Sequence, residues 1–270
     1  MTTGTPFRKG HGTGNDFIVI DDHYDQVDLT PRLVAALCHR RMGIGADGVL
    51  RVVRDGASWF MDYRNSDGTV AEMCGNGARL FARHLVDGGL VDTPDFTIRT
   101  RGGLRTVRIE PGGDVTIGMG AVTRAGADDV TVHWGGGDRT AAAIGALIPN
   151  PHAVAVVETL AEVGDITGAT AAPAEVFPDG ANVEFVQIKA PDRVAMRVWE
   201  RGSGETLSCG TGACAVGWVH HRHHGGAAQV TVEVPGGEVV VTVGDEITLT
   251  GPAVFVADGH IDADWWQEHR

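Results

Sequence analysis

No stretch of this sequence approaches the ~20 consecutive apolar residues that a membrane-spanning helix requires. The segment from Met1 to His11 is polar and carries no apolar signal core. A cytoplasmic location without a membrane partner is therefore expected. There is also no Lys/Arg-rich stretch, and the net charge is −13. A nucleic-acid surface needs a clustered basic patch, so no nucleic-acid partner is expected, and any anionic ligand must be held by local groups. Cysteine is scarce, at positions 38, 74, 209 and 214 only. In a reducing compartment so few thiols do not form a disulfide framework, and low-complexity segments are missing as well.

What is present is a chain of 270 residues, 43% hydrophobic, enough for two modest domains or one large one. Short β-rich runs alternate with glycine-containing turns. Strands are expected at 17–21, 49–53, 58–63, 96–101, 104–109 and 115–119, then at 130–134, 139–147, 153–157, 183–188 and 194–199, with three more across 229–249. Thr30 and Pro31 suit the N-cap and first position of a helix running to about Arg41. Further helices are expected after Cys74, stopping at Gly88-Gly89, after Cys209 to about His224, and from a capping Asp262. The region from Ala121 to Asp129 reads as a domain junction.

The most informative feature is an internal repeat. Met61 precedes Cys74-Gly75-Asn76-Gly77-Ala78 by the same thirteen positions that separate Met196 from Cys209-Gly210-Thr211-Gly212-Ala213. In each copy a strand leads through a polar, glycine-containing loop into the Cys-Gly-x-Gly-Ala segment, and an apolar-periodic helix follows. The two cysteines lie 135 positions apart, half the chain. A weaker echo, at a different spacing, pairs Asn15-Asp16-Phe17-Ile18-Val19 with Asn182-Val183-Glu184-Phe185-Val186. The pattern implies a duplicated domain with a pseudo-twofold axis and a cleft that receives one cysteine from each half.

The chemistry of that arrangement follows from the helix start. The first backbone N–H groups of a helix have no partner within it, and the macrodipole places about half a positive charge there. Both effects favour a thiolate over the ordinary thiol pKa of about 8.5. The same N–H groups can bind a carboxylate, and glycine at the next position permits its close approach. Two such helix ends aimed at one carbon would let one thiolate remove a proton while the opposite thiol donates one, inverting a stereocentre by general acid–base catalysis. Gly12-x-Gly14 does not continue into a nucleotide-binding pattern and no Lys motif suggests pyridoxal chemistry, so no cofactor is expected.

Several separate segments then resemble one family. They are Lys9-Gly10-His11-Gly12-Thr13-Gly14-Asn15-Asp16-Phe17, Arg64-Asn65-Ser66-Asp67-Gly68, the run from Cys74 to Arg79, Asn150-Pro151-His152, Gly180-Ala181-Asn182-Val183, and the run from Trp199 to Gly212. Together they are similar to the diaminopimelate epimerases over essentially the whole chain. The resemblance implies a cofactor-independent isomerase that interconverts LL- and meso-diaminopimelate for lysine and peptidoglycan precursor synthesis, working as a homodimer. It implies an α+β fold of two pseudo-symmetric domains, 1–122 completed by 256–270, and 123–255. Each would be a mixed, largely antiparallel sheet curled around a central helix, with the active site between them. Position by position, it implies Cys74 and Cys209 as the acid/base pair and His152 and Glu200 as groups that tune the thiols. Backbone of Gly75, Asn76, Gly210 and Thr211 would hold the reacting carboxylate. Asn15, Asn65, Asn150, Asn182, Glu200 and Arg201 match substrate-binding positions.

Two departures from the family pattern stand out. Gly48 occupies a position where the family often has a substrate-contacting Gln, and Ile148-Pro149 precedes Asn150 where a small Gly is usual. Cys38 and Cys214 read as core packing, and Trp265-Trp266 as the anchor of the terminal helix on the first domain. The run His220, His221, His223 and His224 reads as decoration of a helix C-terminus, where cations complement the dipole, rather than as a metal site. Two other functions remain open: a proline or hydroxyproline racemase-like isomerase of the same fold, and a non-catalytic redox-sensing or binding protein built on the same cysteines.

Overall fold

The computed structural model describes residues 4–126 and 129–270. The expected polar N-terminal segment and the expected junction at 121–129 each reach into residues outside that set, 1–3 and 127–128. The chain forms two compact units, Met1–Ile117 with Pro252–Arg270, and Gly118–Gly251. Both breaks lie upstream of 122/123 and 255/256.

The first unit contains β1 (Thr5–Gly12), β2 (Asn15–Asp21), α1 (Pro31–Cys38), β3 (Gly48–Asp55), β4 (Ser58–Asn65), α2 (Gly75–Asp87), β5 (Asp95–Thr100) and β6 (Gly103–Ile109), and β7 (Val115–Gly120) begins in it and ends in the second. The second contains β8 (Thr123–Ala125), β9 (Thr131–Trp134), β10 (Arg139–Ala142), β11 (Ile144–Ile148), β12 (Asn150–Val157), α3 (Leu160–Val163), β13 (Thr170–Ala172), β14 (Asn182–Ala190), β15 (Arg193–Glu200), β16 (Gly204–Thr206), α4 (Gly210–His223), β17 (Gln229–Val234), β18 (Gly237–Thr242) and β19 (Ile247–Gly251). The chain then returns to the first unit with β20 (Val254–Ile261) and α5 (Ala263–His269). Both units are α+β, and most strand pairs are antiparallel.

The two topologies repeat strand for strand. In the first unit β1 and β2 form an antiparallel hairpin, β2 runs parallel to β3, β3 and β4 are antiparallel, β4 is parallel to β5, and β5–β6–β7 form a meander. In the second, β11–β12, β12–β14, β14–β15, β15–β17 and β17–β18–β19 repeat those relations in order. Even the outer partners correspond, β20 on β1 and β8 on β11. The helix that opens with Gly-x-Gly-Ala packs on β1–β4 in one unit and on β11, β12, β14 and β17–β19 in the other. The small sheet of β9, β10 and β13 has no counterpart among the described residues of the first unit.

This register corrects one detail of the sequence reading. Phe17 faces Gly48 across β2–β3 as His152 faces Asn182 across β12–β14. Asn15 therefore corresponds to Asn150, at the 135-residue spacing of the cysteines, and the partner of Asn182 is Gly48. The Asn15/Asn182 echo matches two different strands of the repeat.

Local sequence explains where the helices start and stop. Thr30 caps α1 by accepting from the Leu33 N–H at 3.2 Å. The helix ends at Cys38, short of the expected Arg41, because the His39 backbone turns extended and its ring Nδ1 accepts from the Arg41 and Met42 amides at 3.2 and 3.0 Å. α2 buries Leu80, Phe81, Ala82 and Leu85 and stops at Gly88-Gly89, the latter at φ +66°. α4 is buried on almost every side, Cys214 included. A Cβ on Gly217 would come within 2.6 Å of Val241 Cγ1, so glycine there lets α4 lie against β18. At its end His220 Nε2 bonds the Pro191 carbonyl at 3.0 Å and His221 Nδ1 the Gly226 carbonyl at 2.9 Å, so these rings tie down the helix terminus. Asp262 caps α5, whose Trp266 packs with Leu33 and Val34 of α1 in one apolar cluster.

Candidate active site

Cys74 is the N-cap of α2, with extended backbone (φ −138°, ψ 121°), and Cys209 is the N-cap of α4 in nearly the same conformation (φ −118°, ψ 115°). Each carbonyl accepts the first helical bond, from Ala78 at 2.8 Å and from Ala213 at 2.9 Å. Both sulfurs thus sit where unpaired helix N–H groups and the positive dipole end converge. The side chains gathered around them differ.

Beside Cys74 lie the side-chain amides of Asn15 and Asn76. Its thiol donates to Asn15 Oδ1 at 3.5 Å, and Asn76 Nδ2 donates to the same oxygen at 3.3 Å. Asn15 Nδ2 is anchored on Asp47 Oδ2 at 2.7 Å. Asp47 and Asp16 are stitched together by backbone amides and capped by Arg40, which bonds both. Burial pushes the Asp16 carboxyl up, but bonds from Arg40 and Lys9 outweigh it and leave it far below the usual carboxylate range. Beneath the helix start, a Cβ on Gly77 would meet only Leu50 Cδ2 at 3.3 Å and the Phe17 ring at 3.4 Å.

Behind this segment lies an ion-pair cluster. Asp62, fully buried, binds Arg51, Arg64 and Arg101, and Arg51 also reaches Asp22 and Asp25. Burial raises the Asp62 carboxyl, yet bonds from Arg64 and Arg101 and their charges hold it below its ordinary value. Arg101 also donates to the Tyr63 carbonyl at 3.2 Å, near the end of β4.

Around Cys209 the neighbours titrate. Its sulfur accepts from the Gly212 amide at 3.4 Å and lies 3.5 Å from Thr211 Oγ1. Glu200, at the end of β15, takes a hydrogen bond from the thiol and a 2.5 Å bond from Thr206 Oγ1. His152 and Glu184, both fully buried, meet at 2.6 Å between Nδ1 and Oε1, and His152 Nε2 lies 3.1 Å from Asn150 Oδ1. A Cβ on Gly212 would stand 2.7 Å from Glu184 Oε1, so the carboxylate lies directly against the first turn of α4.

This setting overturns the expected lowering of the thiol pKa at Cys209. Burial, at 5% exposure, raises it first; the charges of Glu200 and Glu184 raise it further. Bonds from Thr211 and Gly212 oppose but do not win, so Cys209 rests as a thiol. The Glu200 carboxyl is likewise pushed up, by burial and then by Glu184, against bonds from Thr206 and Cys209.

Of the residues named from sequence, Asn15, Cys74 and Asn76 come together in the first unit. Asn150, His152, Glu200, Cys209 and Thr211 come together in the second. Gly75 and Gly210 open the two helices. Asn182 accepts the Arg201 amide at 2.9 Å and so fixes the end of β15. The Arg201 guanidinium is turned to the Asp179 carbonyl at 3.1 Å, and Asn65 Nδ2 to Thr69 Oγ1 at 3.0 Å. Gly48 has no room for a side chain: a Cβ would lie 2.5 Å from the Arg64 carbonyl and 2.7 Å from the Tyr63 ring. Pro149 is the single residue between β11 and β12, and Asn150 and His152 keep regular ladder register beyond it. Glu184, Asp47 and Thr206 did not emerge from sequence; the one available signal was an acid at 184 inside the otherwise apolar run of β14. No three His, Cys, Asp or Glu side chains among the described residues are grouped to hold a metal ion. Two cavities of the first unit, of about 240 and 400 Å³, do not include Cys74 in their linings.

The sequence model described as diaminopimelate epimerase matches residues 7–125 and 146–256. A diaminopimelate epimerase from Streptomyces coelicolor is 50% identical, covering 98% of both chains, and one from Acidothermus cellulolyticus is 43% identical, covering 95% of both. Among solved structures, a PhzF-family phenazine biosynthesis protein from Bacillus anthracis superposes with a TM-score of 0.69 over 97% of this chain and 99% of its own, at 15% identity, and so shares the fold. With its repeated units, each opening a helix on Cys-Gly-x-Gly-Ala, this chain belongs to the diaminopimelate epimerase family and is an isomerase.

Proposed function

We propose that this enzyme epimerises LL-diaminopimelate to meso-diaminopimelate without a cofactor, using Cys74 and Cys209 as paired acid and base. The observation that carries this reading is the duplicated helix start, which puts a sulfur at the N-cap of the equivalent helix in each unit. The reading requires both thiols to reach opposite faces of one α-carbon, in a cleft between the units. One thiolate takes the α-proton and becomes a thiol; the opposite thiol gives its proton to the other face and becomes a thiolate. Amides of Gly75, Asn76, Gly210 and Thr211 hold the α-carboxylate and stabilise the charge it gains. Asn15, Asn65, Asn150, Asn182, Glu200 and Arg201 receive the remaining ammonium and carboxylate groups, the Arg fork suiting a carboxylate. Asn65 and Arg201 must leave their present partners to do so.

Because Cys209 rests protonated, it serves as the acid when Cys74 is the base, and the roles exchange in the reverse direction. The product supplies lysine and peptidoglycan precursor synthesis, and the enzyme acts as a cytoplasmic homodimer. No helix among the described residues is long and apolar enough to cross a membrane. The test is deuterium uptake at the α-carbon of diaminopimelate, proline and hydroxyproline. Uptake with diaminopimelate alone is expected. Uptake with proline and none with diaminopimelate would refute the substrate, and full turnover after Cys74→Ser or Cys209→Ser would refute the mechanism.

A further inference from the structure

The second unit spends buried charge where its sister unit spends none. His152 corresponds to Phe17, and Glu184, two places beyond Asn182, corresponds to Leu50, two beyond Gly48. Phe17 and Leu50 are fully buried under Gly77 and the start of α2. His152 and Glu184 are as deeply buried under the start of α4. The same backbone therefore folds over an apolar pair in one unit, and packing alone gives no reason for an acid and an imidazole in the other. Burying a carboxylate is costly unless its bonds are complete, yet Glu184 Oε2 has no hydrogen-bond partner among the described residues. Its Oε1 is committed to His152 Nδ1 at 2.6 Å. A carboxylate behind one ring nitrogen fixes the imidazole's orientation and dictates which nitrogen exchanges protons.

We propose that Glu184 is a positioning residue for the epimerisation, accepting from His152 Nδ1 and so fixing the ring with Nε2 on Asn150 Oδ1, beside the Cys209 site. This rests on the two-thiol reading above. Glu184 bonds His152, and its charge also bears on Cys209. Gly212 is glycine because any side chain there would displace this carboxylate from beneath α4. The titratable groups facing the pair are Glu200 from β15 and Cys209 at the start of α4. Removing the Glu184 charge lowers the proton affinity of the groups around it, so activity limbs that depend on them move to lower pH.

The experiment compares wild type with Glu184→Gln, Glu184→Asp, His152→Gln, the Glu184→Gln/His152→Gln double variant and Cys209→Ser. The readouts are α-deuterium exchange, kcat, KM, the pH profile of kcat/KM, and Tm. Glu184→Gln is expected to keep KM within about threefold and Tm within a few degrees, while kcat falls on the order of 10- to 100-fold. Its profile moves about one unit to lower pH. Glu184→Asp, which keeps the charge, recovers part of the loss, and the double variant loses no more than His152→Gln alone. An unmoved pH profile, or losses that multiply in the double variant, overturns the proposal while the two-thiol reading stands. Wild-type turnover in Cys209→Ser would overturn that reading and the proposal together.

Discussion

Cys74 and Cys209 occupy the same place in two copies of one fold, yet they live in different chemical surroundings. Position by position, Phe17, Leu50 and Asn65 stand in the first unit where His152, Glu184 and Glu200 stand in the second. The backbone device, a sulfur at a helix start followed by Gly-x-Gly, is common to both. What differs is how much each site titrates. The repeat fixes where the sulfurs are; the strands beneath supply the carboxylates that hold the Cys209 proton.

The largest expected effect comes from removing either sulfur. Cys74→Ser and Cys209→Ser should each lower turnover on the order of 10³-fold or more. Each should still exchange the α-hydrogen of one stereoisomer with solvent, and the two variants should favour opposite isomers. Identical exchange patterns would erase the comparison. Grafting the first unit's interior into the second comes next. His152→Phe with Glu184→Leu should leave Tm unchanged or raised, since an apolar pair often replaces a buried ionic one at no cost or a gain of about 1–4 kcal/mol. Turnover should nonetheless fall on the order of 10²-fold. A large loss of Tm would mean that the polar pair is structural.

Asp62→Asn probes the scaffold of the first unit alone. It leaves three arginines without their shared carboxylate and should cost about 3 kcal/mol in urea unfolding. The Asp62 carboxyl is held below its ordinary value, so its stabilisation is present above the unfolded carboxylate pKa and is lost as pH falls through the folded one. The wild-type advantage over Asp62→Asn should therefore shrink in acid and hold at neutral pH. The smallest effect separates the two helix-start glycines. Gly77→Ala should be near neutral, its Cβ meeting a flexible Leu50 methyl at 3.3 Å, while Gly212→Ala should cost about 1–3 kcal/mol by pressing on Glu184 at 2.7 Å. Equal costs would mean that the carboxylate does not matter to the packing of α4.

Much of this was legible in the sequence because glycine and spacing carry it. Gly-x-Gly after each cysteine marked both helix starts, Thr30-Pro31 marked α1, and Gly88-Gly89 marked the end of α2. The end of α1 was not legible, because it depends on the His39 ring folding back to accept the next two amides. β20 was missed because its ladder joins it to β1, over 240 residues away in the chain. The Phe17/His152 correspondence was hidden because the two side chains share a position and no chemistry. The high proton affinity of Cys209 was hidden for a related reason: helix-end electrostatics can be read locally, but Glu184 and Glu200 reach the sulfur only when β14, β15 and α4 assemble.

The central claim, that Cys209 rests as a thiol beside Glu200 and Glu184, is tested most directly by the alkylation rate of each cysteine against pH, read by peptide mass spectrometry. Cys74, the more exposed of the two, should be labelled first at neutral pH, and the Cys209 rate should climb only above the ordinary thiol range. In Glu200→Gln the Cys209 profile should move to lower pH while that of Cys74 stays in place. Cys209 reacting as fast as Cys74 at neutral pH, with a profile indifferent to Glu200, would contradict the account.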